Sequence, residues 1–304
     1  MKLKAKVPLI YNGFTLLDYV SGRFDYLPKE EWRKRIGENR HSRNNTVLKE
    51  DSIVFHLDEI FYDMPDVEEE PANLDYKIIM QTKDFLAIDK PSNLTVHKNK
   101  MNFRNNLIFQ LRETHEPPFP SADSVNRLDK NTSGIVLVAL NKDTLRKLSL
   151  QFSTHTIKKT YFAVVVGTPN PLSGTISASI GRIENPSAQD IECGKFCAVD
   201  APNPKLCETG YETLKSANGH SLVKLNPKTG RTHQLRIHLA HIGTPIAGDI
   251  AYGFKTDDYR RFCAKNEIAA IESDRHLLHC AGMEFSFNGE IVSVSSDLPK
   301  SFEI

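Results

Sequence analysis

Two short stretches hold most of the side chains able to do chemistry. In VNRLDKNTSGIVLVAL (125–140), Arg127 and Asp129 flank Leu128 on a polar segment. Asn126, Asn131, Thr132, Ser133 and Gly134 favour turns and caps. Ile135 to Leu140 then form an aliphatic run rich in strand formers. A loop held by a buried strand often carries catalytic groups, but an ion pair that merely ties the loop down fits the same pattern. A carboxylate beside a buried strand is driven toward its neutral form unless a cation lies close. Arg127 is two residues away on an extended segment, which puts it on the same face without necessarily pairing the two. An anionic Asp129 therefore asks for a second arginine from elsewhere in the chain.

The second stretch, TGRTHQLRIHLAHIG (229–243), packs Arg231, His233, Arg236, His238 and His241 into eleven residues. It begins as a turn and continues as a helix with Leu235, Leu239 and Ile242 on one side and Gly243 as its cap. Helical spacing sets His233, Arg236 and Ala240 on another face, so Arg236 points out from a rigid element. The histidines lack an HExxH pattern and have no carboxylate between them, which argues against a metal site. Each His taken singly reads as a capping or packing residue. No GxSxG elbow, GxGxxG turn or GxxxxGK[ST] loop occurs, so nucleophilic-serine, dinucleotide and P-loop chemistries have no support.

These segments must be positioned by a sizeable fold. The chain has 304 residues, with 39 Lys and Arg against 38 Asp and Glu and a formal net charge of +1. That length accommodates a large domain with a smaller companion, and the charge balance neither announces nor excludes a local basic face for nucleic acid. Five cysteines, at 193, 197, 207, 263 and 280, form no CxxC pair. They read as reduced thiols. The start MKLKAKVPLIYNGF lacks the apolar run of a signal peptide, and no stretch is long enough to span a bilayer. A soluble, cytoplasmic protein with no membrane partner is expected.

Residues 58–75 contain eight acids, Pro65 and Pro71, and no Lys or Arg, which reads as a linker or domain edge. Before it, KEEWRKRIGENRHSRNN (29–45) spaces Trp32 and Ile36 by one helical turn among basic residues. This suits a solvated amphipathic helix, with an RNA contact as the alternative. The resulting division is a small N-terminal region over 1–70, with a possible RNA-binding role, and a main domain over 76–304. Within the latter, FLAIDKP (85–91) predicts a strand stopped by Pro91. Asp143 or Thr144 is expected to cap a helix carrying Leu145, Leu148 and Phe152. YFAVVVG (161–167) predicts another strand, and FSFNGEIVSV (285–294) a hairpin with an Asn-Gly turn. Strands outnumber helices without a βαβ rhythm. The fold class expected is α+β with a mixed, mostly antiparallel central sheet.

Taken together, DKPSNLTVH (89–97), NRLDKNTSGIVLVA (126–139), KKTYFAVVVG (158–167), TGRTHQLRIHLAHIGTPIAGDIAYG (229–253) and RHLLHCAGMEFSF (275–287) resemble, in order and spacing, the RluA-type pseudouridine synthases. The resemblance covers about residues 76–300. Asn126 stands where that family generally has His, Asn93 where it often has Gly, and Cys280 where it has Ala. Asn126 is expected to keep the local hydrogen bonding, and Asn93 to tolerate a positive φ.

The resemblance implies isomerisation of uridine to pseudouridine in RNA, ribosomal or transfer, with no metal, redox or nucleotide cofactor. It implies Asp129 as the essential carboxylate and Arg236 as its partner. Arg127 would enter the space left by a flipped nucleotide, and Tyr161 would stack on the uracil and assist proton removal at the end. Lys90, Arg231 and His233 would hold the loops or the RNA backbone. Extruding a base costs a few kcal/mol, which a cation filling the gap helps offset. The rival readings are a non-catalytic RNA-binding protein on the same fold, and a glycosidase. The glycosidase would need a second opposed carboxylate, and the matching segments show none near the site.

Overall fold

The computed structural model describes residues 2–24, 27–63, 69–99, 102–187, 190, 197–265, 270–271, 273 and 275–304. The chain divides into two compact units, Met1–Glu70 and Pro71–Ile304.

In the first unit, strands β1 (Lys2–Lys6), β2 (His41–Arg43), β3 (Thr46–Val47) and β4 (Glu59–Asp63) form an antiparallel sheet in the order β1-β4-β2-β3. Helix α1 (Leu16–Arg23) starts at Thr15, whose hydroxyl accepts the Asp18 N–H at 3.2 Å. In helix α2 (Lys29–Gly37), Trp32 and Ile36 are buried in the unit's core with Leu16, Tyr19 and Ile60. Its Arg33 pairs with Glu30 and Glu50, and Arg35 with Glu31. The amphipathic pattern thus serves the core on one side and ion pairs on the other. The acidic stretch is not linker throughout. Ile60 and Tyr62 alternate inward from β4, and that burial decides the backbone over the charge of Glu59 and Asp63. Residues 64–68 of the stretch, Pro65 among them, lie outside the described residues, as does Cys193; Cys197, Cys207, Cys263 and Cys280 are free thiols.

The second unit is built on an eleven-stranded sheet. Its strands are β5 (Lys77–Gln81), β6 (Phe85–Lys90), β7 (Asp123–Ser124), β8 (Ser133–Ala139), β9 (Lys158–Val166), β10 (Ser173–Arg182), β11 (Cys197–Ala198), β12 (Lys205–Ala217), β13 (His220–Pro227), β14 (Leu278–Phe287) and β15 (Glu290–Ser295). The order is β11-β10-β12-β13-β9-β14-β8-β6-β5, with β15 beside β14 and β7 beside β8. Only β8–β14 is parallel, so the sheet is mixed and mostly antiparallel, and with its helices the fold is α+β. Helices α3 (Lys142–Ser153), α4 (Gln234–His241) and α5 (Thr256–Lys265) accompany it.

All seven residues of β8 are buried. Ile135 and Leu137 enter one core cluster, and Val136 and Val138 another on the opposite face. A strand covered on both sides reads as a continuous apolar run because neither face meets water. Each such side chain contributes roughly 1.5–3 kcal/mol by leaving water, which makes β8 a stiff support for the loop before it. Helix α3 begins earlier than Asp143 or Thr144. Asn141, at φ −152, is the cap, and its Oδ1 accepts the Thr144 N–H at 2.9 Å. Between β14 and β15, Asn288 (φ 51) and Gly289 (φ 88) form the Asn-Gly hairpin turn. Among the described residues no helix is long and apolar enough to cross a membrane.

Gly134 is where β8 meets β14. It sits at φ +107, and an added Cβ would lie 2.2 Å from the Cys280 carbonyl oxygen. Only glycine permits this approach. Gly134→Ala is therefore expected to cost more than about 3 kcal/mol through clash and backbone strain, read as a large drop in the thermal or urea midpoint; a midpoint matching the wild type would contradict the packing described.

Candidate active site

The Arg-Leu-Asp segment is fixed before its ends are used. Asn126 Oδ1 accepts the Leu137 N–H at 2.8 Å, so its side chain docks on β8 like another strand residue. Leu128 packs against the core clusters on both sides of β8. Arg127 and Asp129, with Asn126 and Leu128 between and beside them, line a cleft of about 540 Å³. Beyond Asp129 the chain turns, with Thr132 N–H donating to the Asp129 carbonyl at 3.1 Å. Thr132 Oγ1 lies 2.8 Å from His276 Nε2, and Ser133 Oγ 2.9 Å from His279 Nδ1.

Lys90 grips the same loop from behind. Its Nζ donates to the carbonyls of Pro91 (2.8 Å), Leu94 (2.8 Å) and Lys130 (3.2 Å). Burial pushes its ammonium down to about 7, against the opposing charges of Asp129 and Asp89, and the three carbonyls match the three N–H of the charged form. With 0% of its surface exposed it has no way to touch RNA, so its place is in the loop and not on the RNA backbone. Asn93 takes φ 56 in the turn that follows, as an asparagine in place of glycine can.

From the other side, the 229–233 turn is organised by Gln234. Its Oε1 accepts from Thr229 Oγ1 (2.7 Å) and Arg231 N–H (3.0 Å), and its Nε2 donates to the Glu208 carbonyl (3.1 Å) and Thr209 Oγ1 (3.0 Å). α4 starts at Gln234, so His233 is not on its face. His233 sits in the left-handed region at φ 56, and its Nδ1 lies 2.7 Å from the Tyr252 hydroxyl. Its Nε2 is still 3.8 Å from Asp129 Oδ1. Burial holds its imidazole below its ordinary value, hence neutral at pH 7. His238 is buried against Thr209 Oγ1 at 3.0 Å, whereas His241 is exposed in the last turn.

Arg236 completes the site. Its Nη1 donates to Asp129 Oδ2 at 3.2 Å, across 107 residues of sequence. Its Nε and Nη2 donate to Asp249 Oδ2 and Oδ1 at 2.7 and 2.9 Å. The guanidinium carbon lies 5.0 Å from the Tyr252 ring centroid. Burial alone would raise the Asp249 carboxyl, but hydrogen bonds and charge from Arg236 outweigh it and hold it below its ordinary value. A second carboxylate is thus near the site, contrary to the reading of the motifs, but it is 1% exposed, behind Arg236, and not part of the cleft lining. Its signal in the sequence was a lone acid in the otherwise uncharged TPIAGDIAYG.

Tyr161, on β9, also lines the cleft. Burial first, then the neighbouring Cys280 thiol, raises its phenol well above the ordinary value, so it stays protonated. Arg127, Arg231 and Lys98 are exposed on the cleft lining. Among the described residues no group of three His, Cys, Asp or Glu could hold a metal ion. The cleft offers one partly exposed carboxylate held by a buried arginine, an apolar aromatic wall, and exposed cations around them.

A family model described as RNA pseudouridylate synthase matches residues 84–241, from β6 through α4. The chain belongs to that family. Ribosomal large subunit pseudouridine synthase D of Borreliella burgdorferi is 30% identical over 267 residues, covering 83% of this chain and 80% of the relative. tRNA pseudouridine synthase C of Yersinia pestis is 37% identical over 191 residues, 58% of this chain and 70% of the relative. The solved structure of human RNA Pseudouridylate Synthase Domain Containing 1 superposes with TM-score 0.59 at 27% identity, covering 75% of this chain and 86% of that one. As an RNA pseudouridine synthase the protein isomerises uridine in RNA, the RluA-type activity that the motifs implied.

Behind the Asp129 loop, burial lowers the His276 imidazole to about 3. In the unfolded chain it titrates near 6.5. Between those values the unfolded chain binds the extra proton, so stability falls as pH drops from about 6.5 toward 3. In His276→Asn the loss of unfolding free energy between pH 7 and pH 5 should be smaller by about 2 kcal/mol. Urea titrations at the two pH values measure it, and equal losses in both proteins would remove His276 from the account.

Proposed function

We propose that this enzyme modifies uridines in structured ribosomal or transfer RNA, with Asp129 as the essential carboxylate and Arg236 as the cation that holds and aims it. The 3.2 Å contact between Arg236 Nη1 and Asp129 Oδ2 at the cleft carries the reading. An Asp129 oxygen at that contact faces a space able to admit a nucleotide taken out of its stack.

Arg127 enters the gap left by that nucleotide, helped by its exposed position beside Asp129. The Tyr161 ring stacks on the uracil, a contact worth about 1–3 kcal/mol. Its phenol stays protonated, so it assists the final proton removal by relaying a proton, not as a standing base. Arg231 holds backbone phosphates, and His233 buttresses Asp129 and Tyr252. The relative matching 83% of this chain is named for the large ribosomal subunit, and the one named for tRNA matches 58%; this supports ribosomal RNA as the first substrate to try. The first unit, whose α2 keeps Lys29, Arg33 and Lys34 exposed, adds RNA contacts. A cytoplasmic setting follows from such substrates.

Incubation with unmodified ribosomal and transfer RNA, followed by pseudouridine mapping, tests the substrate. Asp129→Asn is expected to lower turnover by at least about a thousandfold, more than 4 kcal/mol of barrier, while RNA affinity stays within a few-fold. Equal loss of affinity would make Asp129 structural. For Arg231→Ala, the slope of log K against log salt should fall by about 0.7–0.9, one phosphate contact; an unchanged slope would take Arg231 off the RNA.

A further inference from the structure

Asp249 has no part in the reaction as read so far. It does not line the cleft, yet it is the most firmly held carboxylate near it. Besides the two bonds from Arg236, its Oδ1 accepts the Ala251 N–H at 3.0 Å and the Tyr252 N–H at 3.2 Å. The turn that presents it depends on Gly248 at φ +76, where an added Cβ would lie 2.1 Å from the Arg275 carbonyl oxygen.

A guanidinium presents its N–H groups in one plane, and the Nε–Nη2 edge matches a carboxylate as a fork matches a fork. Asp249 fills that edge. Asp129 receives one bond, from Nη1, at the longer distance of 3.2 Å. Its other oxygen, Oδ1, has His233 Nε2 beyond hydrogen-bond range at 3.8 Å. Were the Nε–Nη2 edge free, Arg236 could turn it toward Asp129 and occupy both oxygens with a bidentate pair. The carboxylate would then be neutralised and blocked where the nucleotide must meet it.

We propose that Asp249 is a positioning residue for the isomerisation: by occupying the Nε–Nη2 edge of Arg236 it limits that arginine to one contact with Asp129 and leaves an Asp129 oxygen open to the substrate. This rests on the reading of Asp129 as the essential carboxylate. The role is distinct from holding the fold together, because its effect passes through the orientation of one guanidinium.

The test is steady-state kinetics of Asp249→Asn on an RNA that the wild-type enzyme modifies. Asparagine keeps the volume and the acceptor for Ala251 and Tyr252 but loses the second acceptor and the charge. The expected result is a kcat lower by about tenfold or more, with KM for RNA within about twofold, the pattern of an interaction that matters only in the transition state. If Asp249→Asn melts below the assay temperature, Asp249→Glu replaces it: the charge is kept, the guanidinium is displaced, and kcat again falls at constant KM. A folded variant of either kind with wild-type kcat overturns the proposal, as does a rise in KM alone. Failure of both variants to fold assigns Asp249 a purely structural role and also overturns it. Failure of the underlying reading shows separately, as retained turnover in Asp129→Asn.

Discussion

A buried guanidinium shared by two carboxylates sets the terms for the rest of this molecule. Removing Arg236 and Asp249 from water is expensive, and their attraction repays it only with near-ideal geometry and every remaining hydrogen bond made. The geometry is favourable: the pair is bidentate, Asp249 takes two further backbone N–H bonds, and the Tyr252 ring covers the guanidinium. Of the two carboxylates on Arg236, Asp129 is the one that faces the cleft and Asp249 the one that is buried behind it.

The surrounding elements serve that asymmetry. Asp129 is held by a short loop whose every fixed point is deep: Asn126 on β8, Leu128 between two cores, Thr132 on His276, and the Lys130 carbonyl on the ammonium of Lys90. Arg236 comes from the second turn-and-helix unit, whose entry is tied by Gln234 to β12. The two units of machinery meet only because β14 lies between β8 and β9, and because Gly134 lets β8 approach it closely. The exposed cations on the cleft lining have none of this support. Long flexible cations suit backbone contacts whose geometry varies with the RNA, while bond making needs positions fixed to a fraction of an ångström.

The residues of the motifs have local roles with physical causes. Asn126 and Asn93 stand where the family usually has other residues, and both do local work that asparagine can do: a side-chain bond to a strand in one case, a positive φ in the other. Lys90 was read as holding either a loop or RNA, and a charge alone could not separate the two; three carbonyls and complete burial do. Helical spacing sets His233 on a helix face, but Gln234 closes the turn one residue later and leaves His233 in the left-handed region, where it nonetheless approaches Asp129. Asp249 went unread because a bidentate partner thirteen residues away leaves no periodic trace.

The sequence alone determined the local parts: a buried strand from an aliphatic run, a turn-rich loop before it, a helix from its apolar spacing, an Asn-Gly hairpin, and the family from motifs in order. These follow from preferences that act over a few residues, and from motif order along the chain. Tertiary structure alone decided that Arg236, the partner the resemblance implies for Asp129, is already held by Asp249, and which lysine is spent inside. Those outcomes depend on strand order in the sheet and on desolvation, and both are properties of the packed whole, set by what the rest of the chain excludes from water.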